Sequence, residues 1–187
     1  TIKPGEDTLQ KVSNVILGNN FTALENAKSI AESMNYNTIL LSSMIEGEAR
    51  EVAKAISGIV KQIKLNEVPV KKPACLLLGG ETTVTLHGSG KGGRNQEFVL
   101  ASLIQLQKEM DNVFLLSCGT DGTDGPTNAA GAFVDKAVVE KMNELNLNPQ
   151  EFLKNNNSYE FFEKTEGLIK TGPTGTNVMD IVIALIK

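Results

Sequence analysis

The sequence has no apolar stretch long enough to cross a membrane, and its first residues do not resemble a signal peptide. A spanning helix needs roughly 18 or more consecutive apolar residues, and polar residues interrupt every apolar run of the 187-residue chain before that length. The opening segment, TIKPGEDTLQ, is polar and lacks the apolar centre of a signal peptide. We therefore expect a cytoplasmic protein with no membrane partner.

An excess of basic charge is also missing. The chain has 18 Lys and Arg against 22 Asp and Glu, a formal net charge of −4, whereas nucleic-acid surfaces are normally basic. With 41% apolar residues the chain can bury an ordinary core, so its composition is not that of a disordered protein. Small molecules or other proteins are the expected partners, and nucleic acid is not.

Cysteine and histidine are scarce, which removes several kinds of site. Cys75 and Cys118 lie in apolar runs without a CxxC or Cys/His spacing, as expected of buried thiols in a reducing compartment. His87 is the only histidine, and no GxSxG motif accompanies it. We expect His87 to be structural rather than part of a catalytic triad.

The N-terminal third alternates strand and helix patterns. Short strands are predicted at Ser13–Gly18 and Thr38–Ser42, and between them Asn19 or Asn20 can cap a helix. A second amphipathic helix begins near Glu48. Its charged face is expected to be solvated and consists of Glu48, Arg50, Glu51 and Lys54. This order normally builds a parallel sheet covered by helices.

A proline-containing segment separates this part from the rest. NEVPVKKP has two prolines, two lysines and no periodicity, so we take residues 67–72 as a linker between a domain ending at residue 66 and a second domain over 73–187. In the second part, CLLLGG and TVTLHG are predicted to pair as a hairpin. Further strands are predicted at Val113–Gly119 and in VMDIVIALI, and helices over Arg94–Gln107, near Asp135 and near Pro149.

Three glycine-rich loops adjoin these strands. They are HGSGKGG, GTDGTDGPTNAAG and TGPTGTN. Ligands of open α/β sheets collect outside the carboxyl ends of the strands. Two of the loops lie at such ends, and the third is expected to converge with them.

The first loop fits two known phosphate-binding patterns only in part. Gly88, Gly90 and Gly93 match GxGxxG, but no acidic residue follows at the end of the next strand, as a dinucleotide site requires. A Walker A loop fails because Gly92 follows Lys91 where Ser or Thr is needed. The remaining features are a helix start rich in N–H donors and two cations. An anion site and a tight strand-to-helix turn both fit them.

The second loop contains two acidic residues. Asp121 and Asp124 do not match the EF-hand pattern, which needs Glu at its twelfth position, where Ala132 stands. They can hold a magnesium ion that is shared with substrate phosphates, or they can be turn residues that bond their own backbone. On the first interpretation both carboxylates should be largely solvated and dispensable for folding.

Together these segments resemble a known family. LLLGGETTVTLHGSGKGGRNQEFVLA, LLSCGTDGTDGPTNAAGA and TGPTGTNVMDIVIALI are similar, in this order, to the C-terminal MOFRL domain of glycerate 2-kinases, which are also labelled hydroxypyruvate reductases. Upstream, VILGNNFTALENAKSIAES and EGEAREVA resemble the end of that family's Rossmann-like N-terminal domain. Asn128 and Met179 stand where many relatives have Asp and Asn. The fold implied is a MOFRL-type mixed α/β sheet with helices on its faces, preceded by the end of a parallel α/β domain.

The resemblance implies a function and roles for individual residues. The activity is ATP-dependent phosphorylation of glycerate at its 2-hydroxyl, in a cleft between two domains, with ATP and Mg²⁺ as cofactors. Arg94 and Lys91 would act on the transferred group, and Asp121 and Asp124 would bind the metal. The residues assigned to phosphate or substrate binding are Glu81, Gly88, Ser89, Gly90, Gly92, Gly93, Asn95, Glu97, Thr174 and Asn177.

Several of these residues have structural alternatives. Glu81 and Glu97 can order Arg94 or contact substrate, and for Glu97 an ion pair at the helix start fits equally well. Turn chemistry explains Thr174 and Asn177 as well as substrate contact does.

Two other functions remain open at this stage. One is an NAD(P)-dependent hydroxypyruvate reductase, and the other is a ligand-binding domain or fragment without turnover. Because most of the family's N-terminal domain has no counterpart in this sequence, the chain alone is expected to be inactive. Its partners would be glycerate, nucleotide and the missing N-terminal half, and a homo-oligomer is compatible with the sequence.

Overall fold

The computed structural model describes Ser13 and residues 15–187. In chain order, the elements are α1 (Asn20–Ser33), β1 (Asn37–Glu48), α2 (Ala49–Asn66), β2 (Ala74–Thr83), α3 (Arg94–Leu106), β3 (Val113–Gly119), β4 (Gly131–Val134), α4 (Lys136–Glu144), α5 (Pro149–Lys154), α6 (Ser158–Lys164), β5 (Leu168–Ile169) and β6 (Asp180–Ile186). Most of the predicted helices and strands are confirmed. The caps include Asn19 on α1 and Asp135 on α4, each of which accepts a backbone N–H bond at the start of its helix.

Two predicted strands are wrong. Of the predicted strand Ser13–Gly18, the described residues form no strand, and the side chains of residues 15–17 are exposed without a pairing partner among the described residues. The predicted hairpin is a single strand, β2, followed by an irregular segment. Gly80 is not a turn residue but has a φ of 141°, and a Cβ there would lie 2.1 Å from the carbonyl oxygen of Ile45 on β1. Gly80 thus marks a close approach of β1 and β2, whereas Gly79 packs against Asn20 of α1.

The sheet is mixed and has the strand order β1-β2-β6-β3-β4-β5. β1 and β2 are parallel, as the strand and helix alternation predicts, with α2 as their crossover. β6 lies between β2 and β3 and runs antiparallel to both. The C-terminal strand therefore occupies the centre of the sheet.

Helices cover the two faces of the sheet unequally. On one face, α2, α3, α4 and α6 share a large apolar core with β2, β3, β4 and β6. α3 is buried almost all round, as its apolar sequence predicts. On the other face, α1 buries Leu24 and Ala31 against Cys75 and Leu77 of β2. Successive side chains of a strand point to opposite faces, so β2 contributes to both clusters.

Three loops meet at one edge of the sheet. Asp180, the first residue of β6, pairs with Gly80 near the end of β2 and with Gly119 at the end of β3. The segments after β2 and β3 and the segment before β6 must therefore leave the sheet side by side. The predicted convergence of the glycine loops is confirmed.

Both cysteines are free thiols with a raised pKa. Cys75 is buried in β2 and Cys118 is partly buried in β3, and neither forms a disulfide. Burial raises the pKa of both thiols to about 11, so neither is a thiolate at neutral pH.

The described residues bear only in part on three further expectations, which concern the opening segment, membrane spans and the domain boundary. The polar opening segment, residues 1–10, lies outside the described residues. Within the described part of the chain, no helix combines the length and apolar character needed to cross a membrane. The division into two domains at residues 67–72 stays a prediction; β1 and β2, on either side of that segment, belong to one sheet.

The packing of α1 generates a stability prediction. Leu24→Ala should lower the free energy of unfolding by about 2–5 kcal/mol, because Leu24 is fully buried between α1 and β2. Ile30→Ala in the same helix should change it by less than about 0.5 kcal/mol, since Ile30 is 59% exposed. Urea unfolding of the two variants checks this. Equal losses would contradict α1 as the cover of the second face.

Candidate functional site

Arg94 is held by two acidic residues at the edge where the loops meet. Its Nε donates to Oδ2 of Asp180 at 2.6 Å and its Nη2 to Oδ1 at 2.9 Å, a bidentate pair. Nη2 also lies 3.3 Å from Oε1 of Glu81. The hydrogen bond with Asp180 raises the pKa of Arg94, so the guanidinium is permanently charged.

This arrangement orients Arg94 and leaves part of it accessible. Asp180 is nearly buried, whereas 31% of the Arg94 side chain and 56% of the Glu81 side chain are exposed. One guanidinium faces two carboxylates, so the local charge of the three groups is negative. An anionic ligand that reaches Arg94 therefore needs additional cations nearby.

Asp124 occupies the N-terminus of α3. Its Oδ1 accepts the backbone N–H of Asn95 at 3.0 Å and its Oδ2 that of Gln96 at 2.9 Å. Oδ1 also accepts from the Asn95 amide, whose own oxygen accepts the hydroxyl of Ser117. A capping carboxylate satisfies helix N–H groups that have no partner inside the helix. The expectation that both loop carboxylates are solvated is wrong for Asp124, which is 1% exposed.

Burial also changes the acidity of Asp124. Desolvation raises its pKa to about 6, and the nearby Asp180 adds to the rise, while the N–H bonds oppose it. Gly93 makes this contact possible. A Cβ at Gly93 would lie 2.3 Å from the Asp124 carboxyl carbon.

The first glycine-rich loop, HGSGKGG at residues 87–93 and called the glycine loop from here on, is hydrogen-bonded to three consecutive asparagines. Asn155, Asn156 and Asn157 follow α5 and accept backbone N–H bonds from residues 87–91. These donors, which the sequence makes available for an anion, therefore bond to the protein itself. The close packing explains the glycines, since a Cβ at Gly90 would lie 2.4 Å from Cβ of Asn157 and 2.5 Å from the carbonyl oxygen of Asn155. Gly88 packs against Asn155 in the same way, Gly92 packs against Ser158 at the start of α6, and Ser89 is exposed.

Lys91 points its ammonium group at an aromatic ring. Its Nζ lies 4.5 Å from the centre of the Tyr159 ring, and Nζ of Lys170 lies 5.8 Å from the same centre. The Tyr159 hydroxyl bonds to Asn128 and Glu163. Cation–π attraction gives both lysines a preferred position, and both remain exposed.

Glu97 is buried and pairs with Arg50, which is partly exposed. It is 2% exposed and accepts from Nε of Arg50 at 2.8 Å and from Nδ2 of Asn156 at 3.0 Å. The expectation that the charged face of α2 is solvated is therefore wrong for Arg50, although Glu51 and Lys54 are exposed. Glu48 accepts from the backbone N–H and the hydroxyl of Thr85.

The second and third loops are bonded to each other. Thr174 donates its hydroxyl to the carbonyl oxygen of Thr120 and its backbone N–H to that of Asp121. Asp121 is partly exposed, and its Oδ1 accepts the N–H of Thr123, as in an Asx turn. Asn177 accepts the N–H of Met179 and is exposed. The exposed side chain of His87 lies at the start of the glycine loop.

Three features of this edge escape the sequence analysis. Asp180 is an acidic residue at the start of an otherwise apolar strand, and that contrast is a signal that could have identified it. The asparagine triplet is a second signal, because three adjacent amides suit backbone capping rather than a helix interior. Arg50 gives no local signal, since only the fold brings Glu97 to it.

The sequence of the chain is similar to that of known glycerate 2-kinases. Residues 74–180 match the MOFRL family. The chain is 43% identical over 184 residues to D-glycerate 2-kinase of Thermotoga maritima, covering 97% of this chain and 44% of that protein. It is 38% identical over 182 residues to glycerate 2-kinase of Pyrococcus horikoshii, covering 97% of this chain and 41% of the relative.

A solved structure shows the same fold. The crystal structure of glycerate kinase from Thermotoga maritima superposes with a TM-score of 0.89 at 43% identity, over 95% of this chain and 44% of that one. The chain thus spans less than half the length of these relatives.

The capping role of Asp124 can be tested against Asp121. Asp124→Ala should lower the free energy of unfolding by about 1–3 kcal/mol, because it leaves buried N–H groups of Asn95 and Gln96 without a partner. Asp121→Ala should change it by less than about 0.5 kcal/mol, since Asp121 is partly exposed and its side chain bonds only within its own turn. Equal unfolding midpoints in urea would show that Asp124 is not a cap.

The raised pKa of Asp124 predicts a pH dependence. In the folded protein the carboxyl group of Asp124 stays protonated up to about pH 6, whereas the ordinary pKa of an aspartate side chain is 3.8. The resulting stabilisation is complete below about pH 3.8 and is lost as the pH rises through about 6. We expect the stability of the parent relative to Asp124→Asn to fall between pH 4 and 7 in urea unfolding series. A difference that is constant or rises with pH would contradict a raised pKa.

Proposed function

Because the chain belongs to the MOFRL family, we propose that it is the C-terminal portion of a glycerate 2-kinase, which transfers a phosphoryl group from ATP to the 2-hydroxyl of glycerate. The observation that carries this proposal is the 43% identity to D-glycerate 2-kinase of Thermotoga maritima over 97% of this chain. The MOFRL family match over residues 74–180 includes all three loops at the sheet edge.

Arg94 is the residue to which we assign the transferred group. Phosphoryl transfer depends mainly on positioning and on charge stabilisation. Asp180 and Glu81 fix the direction of the guanidinium, and its exposed part can bind phosphate or the glycerate carboxylate. A preoriented cation loses little freedom when the ligand arrives, and such positioning can lower a barrier by several kcal/mol.

The negative charge around Arg94 requires further cations when an anionic nucleotide binds. Since Asp180 and Glu81 outnumber Arg94, a polyanionic nucleotide needs further positive charge, which Lys91 and a magnesium ion would supply. The residues present fit a magnesium ion at Asp121, because Mg²⁺ takes one or two carboxylates together with water and substrate phosphate. We assign Asp124 to the helix cap instead, because its oxygens are buried against α3. Among the described residues no group of three acidic, Cys or His side chains forms a metal site by itself.

The other assignments divide by exposure. Ser89, Thr174 and Asn177 are exposed at the edge and stay candidates for substrate contact. Asn95 and Glu97 are buried and bonded within the protein, so their contribution to binding is indirect.

The reductase alternative has less support from the geometry. In a dinucleotide site the glycine-loop backbone approaches the pyrophosphate. Here the N–H groups of Gly88 and Gly90 donate to Asn156 and Asn155. The space next to the GxGxxG segment is occupied by the chain itself.

The proposal includes the setting of the enzyme. The three loops would form one wall of a cleft whose other wall is the N-terminal half present in the longer relatives. We further propose a cytoplasmic enzyme, a boundary near residues 67–72 between the end of a Rossmann-like domain and the MOFRL domain, and compatibility with a homo-oligomer. A ligand-binding fragment without turnover is the second candidate, because the chain covers 44% of the Thermotoga maritima relative.

A coupled ADP-release assay with Mg-ATP and glycerate tests the proposal. The 187-residue chain alone should give no measurable turnover, and the complete enzyme, in which the chain is joined to the N-terminal portion it lacks, should turn over at about 1–100 per second. Turnover by the isolated chain would contradict the single-wall interpretation. A complete enzyme that binds ligand but releases no ADP would favour the second candidate.

Arg94→Lys in the complete enzyme tests the assigned residue. Lysine keeps the charge but loses the fork, so we expect a loss of about 1.5–3 kcal/mol in transition-state stabilisation, which lowers turnover by tens of fold. Melting curves control for misfolding. Activity near that of the parent would remove Arg94 from the site.

A further inference from the structure

Asn156 lies at the centre of a buried hydrogen-bond network beneath the glycine loop. It is 4% exposed and lies between α5 and α6. Its Oδ1 accepts the backbone N–H groups of His87 at 2.8 Å and Gly88 at 3.0 Å. Its Nδ2 donates to the carbonyl oxygen of Thr85 at 3.3 Å and to Oε2 of Glu97 at 3.0 Å. All four hydrogen-bonding positions of the amide are in use.

The network continues to two further helices. The other oxygen of Glu97 accepts from Nε of Arg50, whose Nη2 donates to the carbonyl oxygen of Leu153 at 3.3 Å. α2, α3 and α5 are thereby joined to the loop through one partly buried ion pair and one amide. A buried charge is costly unless it is fully paired, so the position of Glu97 depends on both Arg50 and Asn156.

The partners also fix the orientation of the Asn156 amide. Rotation by 180° would turn Nδ2 toward two N–H donors and Oδ1 toward the Glu97 carboxylate and a carbonyl oxygen. Every one of these four contacts would become repulsive. The amide therefore links Glu97 to the backbone of residues 85–88 in a single orientation.

We propose that Asn156 is a positioning residue for the phosphoryl-transfer site, acting through the glycine loop. The inference rests on the kinase function proposed above. The loop that Asn156 holds leads directly to Lys91 and to Arg94 at the start of α3, and a satisfied buried network rigidifies the segment it contacts. Loss of the Asn156 hydrogen bonds allows the glycine loop to move. Lys91 and Arg94 then spend less time in the geometry that stabilises the transferred group.

Asn156→Gly is the sharpest single variant. Asn156 has a φ of 51°, in the left-handed region where glycine is unstrained, so this change deletes the amide and retains the backbone conformation. Asn146→Gly is a matched control, because Asn146 has the same φ and is exposed after α4. On the 187-residue chain, amide hydrogen exchange at His87 and Gly88 should become at least tenfold faster in the first variant and remain unchanged in the control.

Kinetics of the complete enzyme provide the functional measurement. We expect Asn156→Gly to lower kcat by roughly tenfold or more, with KM for Mg-ATP changing less than about threefold, since positioning acts on the reacting geometry. Asn146→Gly should retain both constants. Unchanged exchange at His87 and Gly88 in the Asn156→Gly chain would overturn the inference, and so would faster exchange with an unchanged kcat.

A compensating pair keeps the test decisive if Asn156→Gly does not fold. Asn156→Asp places a carboxylate oxygen against Glu97 and against the carbonyl oxygen of Thr85, so it should lower kcat. Adding Glu97→Gln makes position 97 the donor of the first contact and leaves the Thr85 contact repulsive, so the double variant should recover part of the lost kcat, and absence of any recovery would overturn the inference. An inactive complete parent enzyme would overturn the proposed function and the catalytic part of this inference, whereas hydrogen exchange would still report whether Asn156 holds the loop.

Discussion

The carboxylate of Asp124 on the N-terminal N–H groups of α3 is the contact on which the loop edge depends. It joins the loop after β3 to the helix that carries Arg94, and it requires glycine at position 93. A helix N-terminus is a natural anion site. In this protein the anion is supplied by the chain itself, so that end of α3 has a structural role, and the ligand groups must be found among the side chains around it.

The asparagine triplet has the same effect on the glycine loop. Backbone donors of residues 87–91 bond to Asn155, Asn156 and Asn157, and the glycines allow the two segments to touch. The loop is thus a fixed part of the fold. Arg94 and Lys91, the cations of the proposed site, are held by Asp180 and by the ring of Tyr159.

Net charge at the edge connects this geometry to the proposed chemistry. Asp180 and Glu81 orient Arg94 but also reduce its attraction for a phosphate. The proposed kinase site would gain from a magnesium ion that accompanies the nucleotide, and from cations on the proposed second wall of the cleft. The match to less than half of each longer relative is the observation behind the proposal that another domain completes the site.

Local sequence patterns determined most elements and the place of the three loops. Apolar periodicity and caps such as Asn19 predicted the helices, and the resemblance of the loop motifs predicted the mixed sheet, because these signals depend on residues close together in the chain. Tertiary structure alone decided which hydrogen-bond donors bond within the protein and which stay available to a ligand. Asp180, Asn156 and Arg50 lie 86, 59 and 47 residues from the partners Arg94, Glu97 and Glu97 that give them their roles. It also turned Asp124 inward and replaced the predicted hairpin with one strand, since burial and strand pairing depend on neighbours that the folded chain brings together.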